Sequence, residues 1–172
     1  MIVLIGESAS GKSTIEKELC KRGYERVISY TTRPKRPNEQ HDVDYHYITE
    51  KEFLSLKNVE HFAETTSYRG WHYGAAKKDC LDNKIIVVEP HGLRQLKQDK
   101  ELNIVSFYIK VSDNERLSRI AKRGDDIMEC FRRVVSDQGV FQGIENEVTY
   151  IINGENAIEN IVEEILDHTS MR

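Results

Sequence analysis

Only three prolines, three cysteines and one tryptophan occur in 172 residues, and no apolar run is long enough to cross a bilayer. Each scarcity excludes something. Cys20, Cys80 and Cys130 are scattered and odd in number. That sets aside a disulfide framework or a zinc site and leads us to expect reduced thiols in a cytoplasmic protein. The apolar start of the chain turns glycine-rich and charged within a few residues, unlike a secretory leader. A net charge of −4 lacks the basic excess of a nucleic-acid binder, so neither nucleic acid nor membrane is expected as a partner. His41, His46, His61, His72, His91 and His168 show no metal-ligand spacing.

What is present is an alternation of short apolar runs with helical patterns, at 38% hydrophobic and 31% charged residues. This predicts a single α/β domain with a mainly parallel central sheet flanked by helices. Residues 2–5 form a β-branched run suited to a buried first strand, followed by a helix over 12–22. Further strands are expected at 27–29, 84–88, 104–111 and 150–152, and a hairpin within 59–73 turning at Arg69-Gly70. Helices are expected at 50–56, 93–100, 114–123 and 127–140. The last helix carries Ile158, Ile161, Val162 and Ile165 at i, i+3, i+4, i+7. The segment 33–76 breaks the rhythm and reads as an inserted flap.

The strongest local signal is Gly6-Glu7-Ser8-Ala9-Ser10-Gly11-Lys12-Ser13, which fits G-x-x-x-x-G-K-[ST]. Glycines let such a loop curl so that its N–H groups converge on phosphate oxygens, and the following helix adds its positive end. Lys12 is expected to reach the β- and γ-phosphates of ATP, and the Ser13 hydroxyl to ligate Mg²⁺. Gly6, Ser8, Ala9, Ser10, Gly11 and Thr14 complete the expected ATP-binding set. No Asn-Lys-x-Asp base-reading motif accompanies the loop, which argues against a switch GTPase.

A second loop reads Ser29-Tyr30-Thr31-Thr32-Arg33-Pro34-Lys35-Arg36-Pro37-Asn38-Glu39, then Asp42-Val43-Asp44-Tyr45. Arg33 and Arg36 in a proline-stiffened loop make a fork for a dianion, although an isolated R-x-x-R is more often a solvated basic loop. Phe62-Ala63-Glu64, Tyr73-Gly74, Glu89-Pro90-His91-Gly92, Arg116-Leu117 through Arg119, Arg123-Gly124, Arg133 and Tyr150-Ile151-Ile152-Asn153 follow in order. As a set these motifs closely resemble the guanylate kinase family over essentially the whole chain.

The resemblance implies a P-loop kinase core (1–32, 77–123 and 144–172), an acceptor flap at about 33–76 and a short helical lid at about 124–143. It implies transfer of the γ-phosphoryl group of ATP to GMP, with Mg²⁺. Arg33, Arg36, Tyr45, Tyr73 and Gly74 would surround the GMP phosphate. Ser29, Glu64 and Glu89 would read guanine, and Asn153 would lie near the donor adenine. Lys12, Arg119, Arg123 and Arg133 would stabilise the transferred charge. Chemistry supports the choice of guanine, because its N1–H and N2 amino group are adjacent donors that one carboxylate accepts together, whereas adenine N1 is an acceptor.

The chain also departs from that pattern. Ala75 stands where Ser or Thr is usual, Glu89 is a methylene longer than the usual Asp, and Val87 replaces an Asp expected near Mg²⁺. Glu7 and Ala9 replace the usual Pro and Gly. These leave open a different acceptor, such as dGMP, another monophosphate or a ribose bisphosphate, and a non-catalytic protein-binding module of the same fold.

Overall fold

The computed structural model of the chain describes residues 1–123, 127–137 and 139–170. Gly124 and the side chains of Arg123, Cys130 and Arg133, all invoked above, lie outside the described residues. The main sheet has five strands in the order β2 (Glu25–Arg26), β7 (Lys84–Val87), β1 (Ile2–Ile5), β8 (Val105–Lys110) and β9 (Tyr150–Asn153). Every pairing in it is parallel. All four residues of β1 are buried, as a central strand covered on both faces requires.

The period-2 alternation along β1 feeds two cores. Ile2 and Leu4 pack with Ile15 and Leu19 of α1 (Lys12–Lys21) and with Ile161, Val162 and Ile165 of α6 (Ile158–Ser170). Val3 and Ile5 pack on the other face with Leu93 and Leu96 of α3 (Pro90–Leu96), together with Phe141 and Ile144. The apolar stripe read from the last helix is thus buried where its spacing predicts.

A second sheet stands off the first, in the order β4 (His46–Tyr47), β3 (Tyr30–Thr31), β6 (Trp71–Ala76), β5 (Phe62–Tyr68). The β5–β6 hairpin turns at Arg69 and Gly70, with φ of 54° and 80°, the left-handed pair that suits a tight two-residue turn. Helix α2 (Glu50–Asn58) starts on a capping box between Thr49 and Glu52, and Phe53 stacks on Phe62 at 4.6 Å to fix it to the sheet.

Several boundaries differ from the sequence reading. The strand expected at 27–29 lies at Glu25–Arg26, and Val27 adds only one ladder bond, to Ile85. Tyr30 and Thr31 then cross to the second sheet. The helix expected at 93–100 begins at Pro90, whose missing N–H costs nothing in a first turn, and ends at Leu96. The helix expected at 127–140, α5, spans Ile127–Asp137; α4 (Asp113–Arg123) precedes it. No helix among the described residues is long and apolar enough to cross a membrane.

Candidate active site

The central strand β1 ends at the phosphate loop, between neighbours β7 and β8, where α/β sheets place their ligands. Gly11 caps α1 with φ 102°, a backbone that L side chains rarely adopt. No acidic residue occupies the first turn of α1, so its positive end is left for an anion. Lys12 folds back, its Nζ donating to Gly6 O at 2.6 Å, Glu7 O at 2.8 Å and Ser10 Oγ at 3.3 Å. Burial lowers its pKa to about 8, against the opposing pull of the Asp137 and Glu7 carboxylates. Ser13 and Thr14 are exposed in the first turn of α1.

A cleft of about 290 Å³ runs from this loop to the second sheet, and Lys12, Ser29, Tyr45, Glu64, Tyr73 and Glu89 all line it. Glu64 on β5 is 5% exposed. Burial raises its pKa to about 7, although the Ala75 N–H donates to its carboxylate. A Cβ on Gly92 would stand 3.2 Å from Glu64 Oε2 and 3.0 Å from Val88, so a glycine leaves the carboxylate its room. Gln95 fixes the strand beside it: its Oε1 accepts from Thr65 N at 3.0 Å and its Nε2 donates to Thr65 O at 2.8 Å.

Three of the candidates for the GMP phosphate, Arg33, Arg36 and Gly74, do not line the cleft. Arg33 makes two bonds to Glu39, at 2.7 and 3.0 Å, with its guanidinium 5.6 Å from the Tyr45 ring centre. This pair pulls Glu39 down to about 2. Arg36 is exposed, its backbone N–H donating to Glu39 at 2.8 Å. Gly74 is buried against Phe62. Ala75 is fully buried under Glu64 and lines no part of the cleft, so a hydroxyl there would have to disturb the core to reach a ligand.

On the other side of the loop, a cavity of about 420 Å³ is bordered by Ala9, Gly11, Thr14, Arg119, Lys122, Gly154 and Asn156. Arg119 grips fixed backbone there, donating to Ser10 O at 3.1 Å and Gly154 O at 2.7 Å. Asn153 instead accepts from Glu155 N and does not line this cavity. Asn156, three residues on, does; the run Asn-Gly-Glu-Asn after β9 was the available signal.

Sequence reasoning also missed two carboxylates at the cradle. Tyr108 donates to Glu7 Oε1 at 2.9 Å, and Glu7 Oε2 is buried with no partner among the described residues. Asp137 accepts from Ser8 N at 2.8 Å and from Arg116 Nη2 at 2.7 Å. Glu7 occupies an unspecified position of the loop motif and Asp137 carries none, and their contacts join residues more than 20 positions apart.

A family model described as guanylate kinase matches residues 1–170. The guanylate kinase of Synechococcus sp. (strain JA-3-3Ab) is 30% identical, over 96% of this chain and 79% of its own length. That of Mycoplasma genitalium is 31% identical, over 90% of this chain and 69% of its own length. The crystal structure of guanylate kinase from Anaplasma phagocytophilum shares the fold, with a TM-score of 0.73 at 22% identity over 99% of this chain and 84% of that one. A gluconokinase from Sinorhizobium meliloti shares it more distantly, with a TM-score of 0.58 at 13% identity over 99% of this chain and 91% of that one. With a family match spanning nearly every residue and relatives at this identity, the chain belongs to the guanylate kinase family.

Proposed function

We propose that this protein transfers the γ-phosphoryl group of ATP to GMP, giving ADP and GDP, as a cytoplasmic enzyme acting on small nucleotides. The observation that carries the reading is that Lys12 and Glu64 face the same cleft. One end supplies a phosphate cradle, and the other a carboxylate held away from water.

In this reading the Glu64 carboxylate accepts N1–H and N2–H of guanine, with Ser29 and Glu89 beside it. Tyr45, Tyr73, Arg33 and Arg36 hold the GMP phosphate. Arg33 must then share its guanidinium between Glu39 and the substrate. Lys12 leaves the Gly6 and Glu7 carbonyls and follows the β- and γ-phosphates, where a charge near the moving group counts most in the transition state. A GMP phosphate oxygen attacks the γ-phosphorus, the bond to the β-phosphate oxygen breaks, and ADP leaves. Arg119, with Arg123 and Arg133, contributes positive charge over the donor phosphates, while Thr14 and Asn156, rather than the expected Asn153, border the donor nucleotide.

The Ser13 hydroxyl, exposed in the first turn of α1, is a hard oxygen donor of the kind Mg²⁺ takes. Mg²⁺ bound there with ATP would neutralise charge on the β- and γ-phosphates. The working division is a core of 1–32, 77–123 and 144–172, an acceptor flap of 33–76 and a lid of 124–143, the last two closing on substrate to exclude water.

ADP release measured with Mg-ATP and a panel of GMP, dGMP, AMP, CMP and UMP tests this. GMP should stimulate release far more than AMP. If GMP gave no more ADP than the reaction without acceptor, the reading would be wrong.

A further inference from the structure

The lid helix α5 ends in a carboxylate that sits on the phosphate cradle. Asp137 Oδ2 accepts from the Ser8 N–H, one of the backbone groups that the loop offers to a phosphate. The same oxygen accepts from Arg116, an arginine only 3% exposed. Arg116 also donates through Nε to Ser8 O at 2.9 Å and through Nη1 to Asp113 at 2.9 Å. One buried guanidinium therefore ties the lid carboxylate to the loop itself.

Among the charges acting on Lys12, that of Asp137 is felt most strongly, ahead of Glu7. The C-terminal end of α5 adds the negative end of its dipole to the same place. Asp137 is itself largely covered, with its side chain 16% exposed, and it borders the acceptor cleft. A positive cradle thus already holds an anion from its own chain.

We propose that Asp137 is an internal competitor for the phosphate cradle, so that donor binding exchanges the lid's own carboxylate for the phosphates of the nucleotide. The inference rests on the P-loop reading above and adds to it a residue that sets donor affinity. Before substrate arrives, the Ser8 N–H is thus bonded to an anion and Lys12 lies within the field of the same carboxylate. The exchange also makes outward movement of the α5 end a condition of donor binding. The apparent affinity for the donor is then reduced by the fraction of molecules whose cradle is free. Arg116 keeps Asp113 and Ser8 O as partners when Asp137 leaves, so the exchange does not strand a buried charge.

The test is calorimetric binding of a non-hydrolysable ATP analogue with Mg²⁺, without acceptor, to the full chain and to Asp137→Asn, Asp137→Ser and Asp113→Asn. Both Asp137 variants should bind about tenfold tighter, because each removes a charge-assisted contact that competes with the ligand. Asp113→Asn, which alters Arg116 without touching the cradle, should bind within about twofold of the parent. The KM for ATP should fall in the Asp137 variants without a matching rise in kcat. Unchanged or weaker binding in both folded Asp137 variants would overturn the proposal, as would a weakening that grows with Mg²⁺, which would make Asp137 a metal partner. A structure of the unaltered chain with the analogue bound gives an independent check: the 2.8 Å contact to Ser8 N should be broken, and its persistence would overturn the proposal. If the unaltered chain failed to bind the analogue, the P-loop reading itself would fall; binding with no gain in the variants would sink only the competitor.

Discussion

The Glu64 carboxylate is held at the Ala75 N–H, at the buried end of a cleft whose other end is the phosphate loop. Burial of the charged form, with a smaller push from Glu89, raises its pKa from 4.5 to about 7. Guanine's paired donors need the ionised form. The KM for GMP should therefore rise as pH falls below about 7, while the KM for ATP stays flat over the same range. Glu64→Gln should abolish that pH dependence and raise the GMP KM by about tenfold, since an amide cannot accept both donors. A flat GMP KM between pH 5.5 and 8 in the unaltered protein would remove Glu64 from guanine recognition.

The same shift has a stability consequence of fixed sign. The folded state holds the Glu64 proton more tightly than the unfolded chain does, so between pH 4.5 and about 7 the unfolded state binds fewer protons. Stability falls with rising pH through that window, by an amount of the order of 3 kcal/mol in total. Glu64→Gln does not titrate, so its melting temperature relative to the parent should improve from pH 4.5 to pH 8. A constant difference across that range would contradict the raised pKa.

Lys12→Ala should reduce kcat by two orders of magnitude or more, a loss about the size expected when a transition-state charge contact is deleted. Melting should change little, because the interactions of Nζ are with carbonyls of its own loop. Retention of near-normal kcat would remove Lys12 from its assigned role.

Gln95→Ala should raise the GMP KM severalfold with little change in kcat or in the ATP KM. The side chain touches neither proposed substrate site; it pins the Thr65 backbone beside Glu64. Steady-state kinetics with each substrate varied separately would show the split. A loss confined to kcat would mean that β5 is not the element positioned by this contact.

Ala9 adopts φ 64° in the phosphate loop, where an L side chain crowds its own carbonyl. Ala9→Gly should stabilise the fold by up to about 1 kcal/mol, the strain relieved outweighing the added freedom of the unfolded chain. A lowered denaturation midpoint would show that the methyl packs better than its backbone angle suggests.

The sequence alone determined that the central sheet is mainly parallel, because a central parallel strand must be apolar on both faces and leaves an unbroken run such as Ile2–Ile5. It also determined the phosphate loop and the Arg69-Gly70 turn, since both are dictated by local backbone requirements. Ser29, Tyr45, Glu64, Tyr73 and Glu89 were legible as candidates only through their motifs, and the fold brings them onto one cleft. Tertiary structure decided the rest. Tyr30–Thr31 belongs to the second sheet because its hydrogen-bond partners are His46–Tyr47 and Tyr73–Gly74, which no local pattern names. Arg33 is paired with Glu39 rather than open to the cleft, and Asn156 rather than Asn153 borders the cavity beside Thr14. The placement of Asp137 on Ser8 and Arg116 depends on α5 ending at the P-loop, a contact across 129 residues. Local rules reach about one helical turn or one hairpin, whereas the ionisation of Glu64 and the occupation of the cradle depend on what distant segments bury beside them.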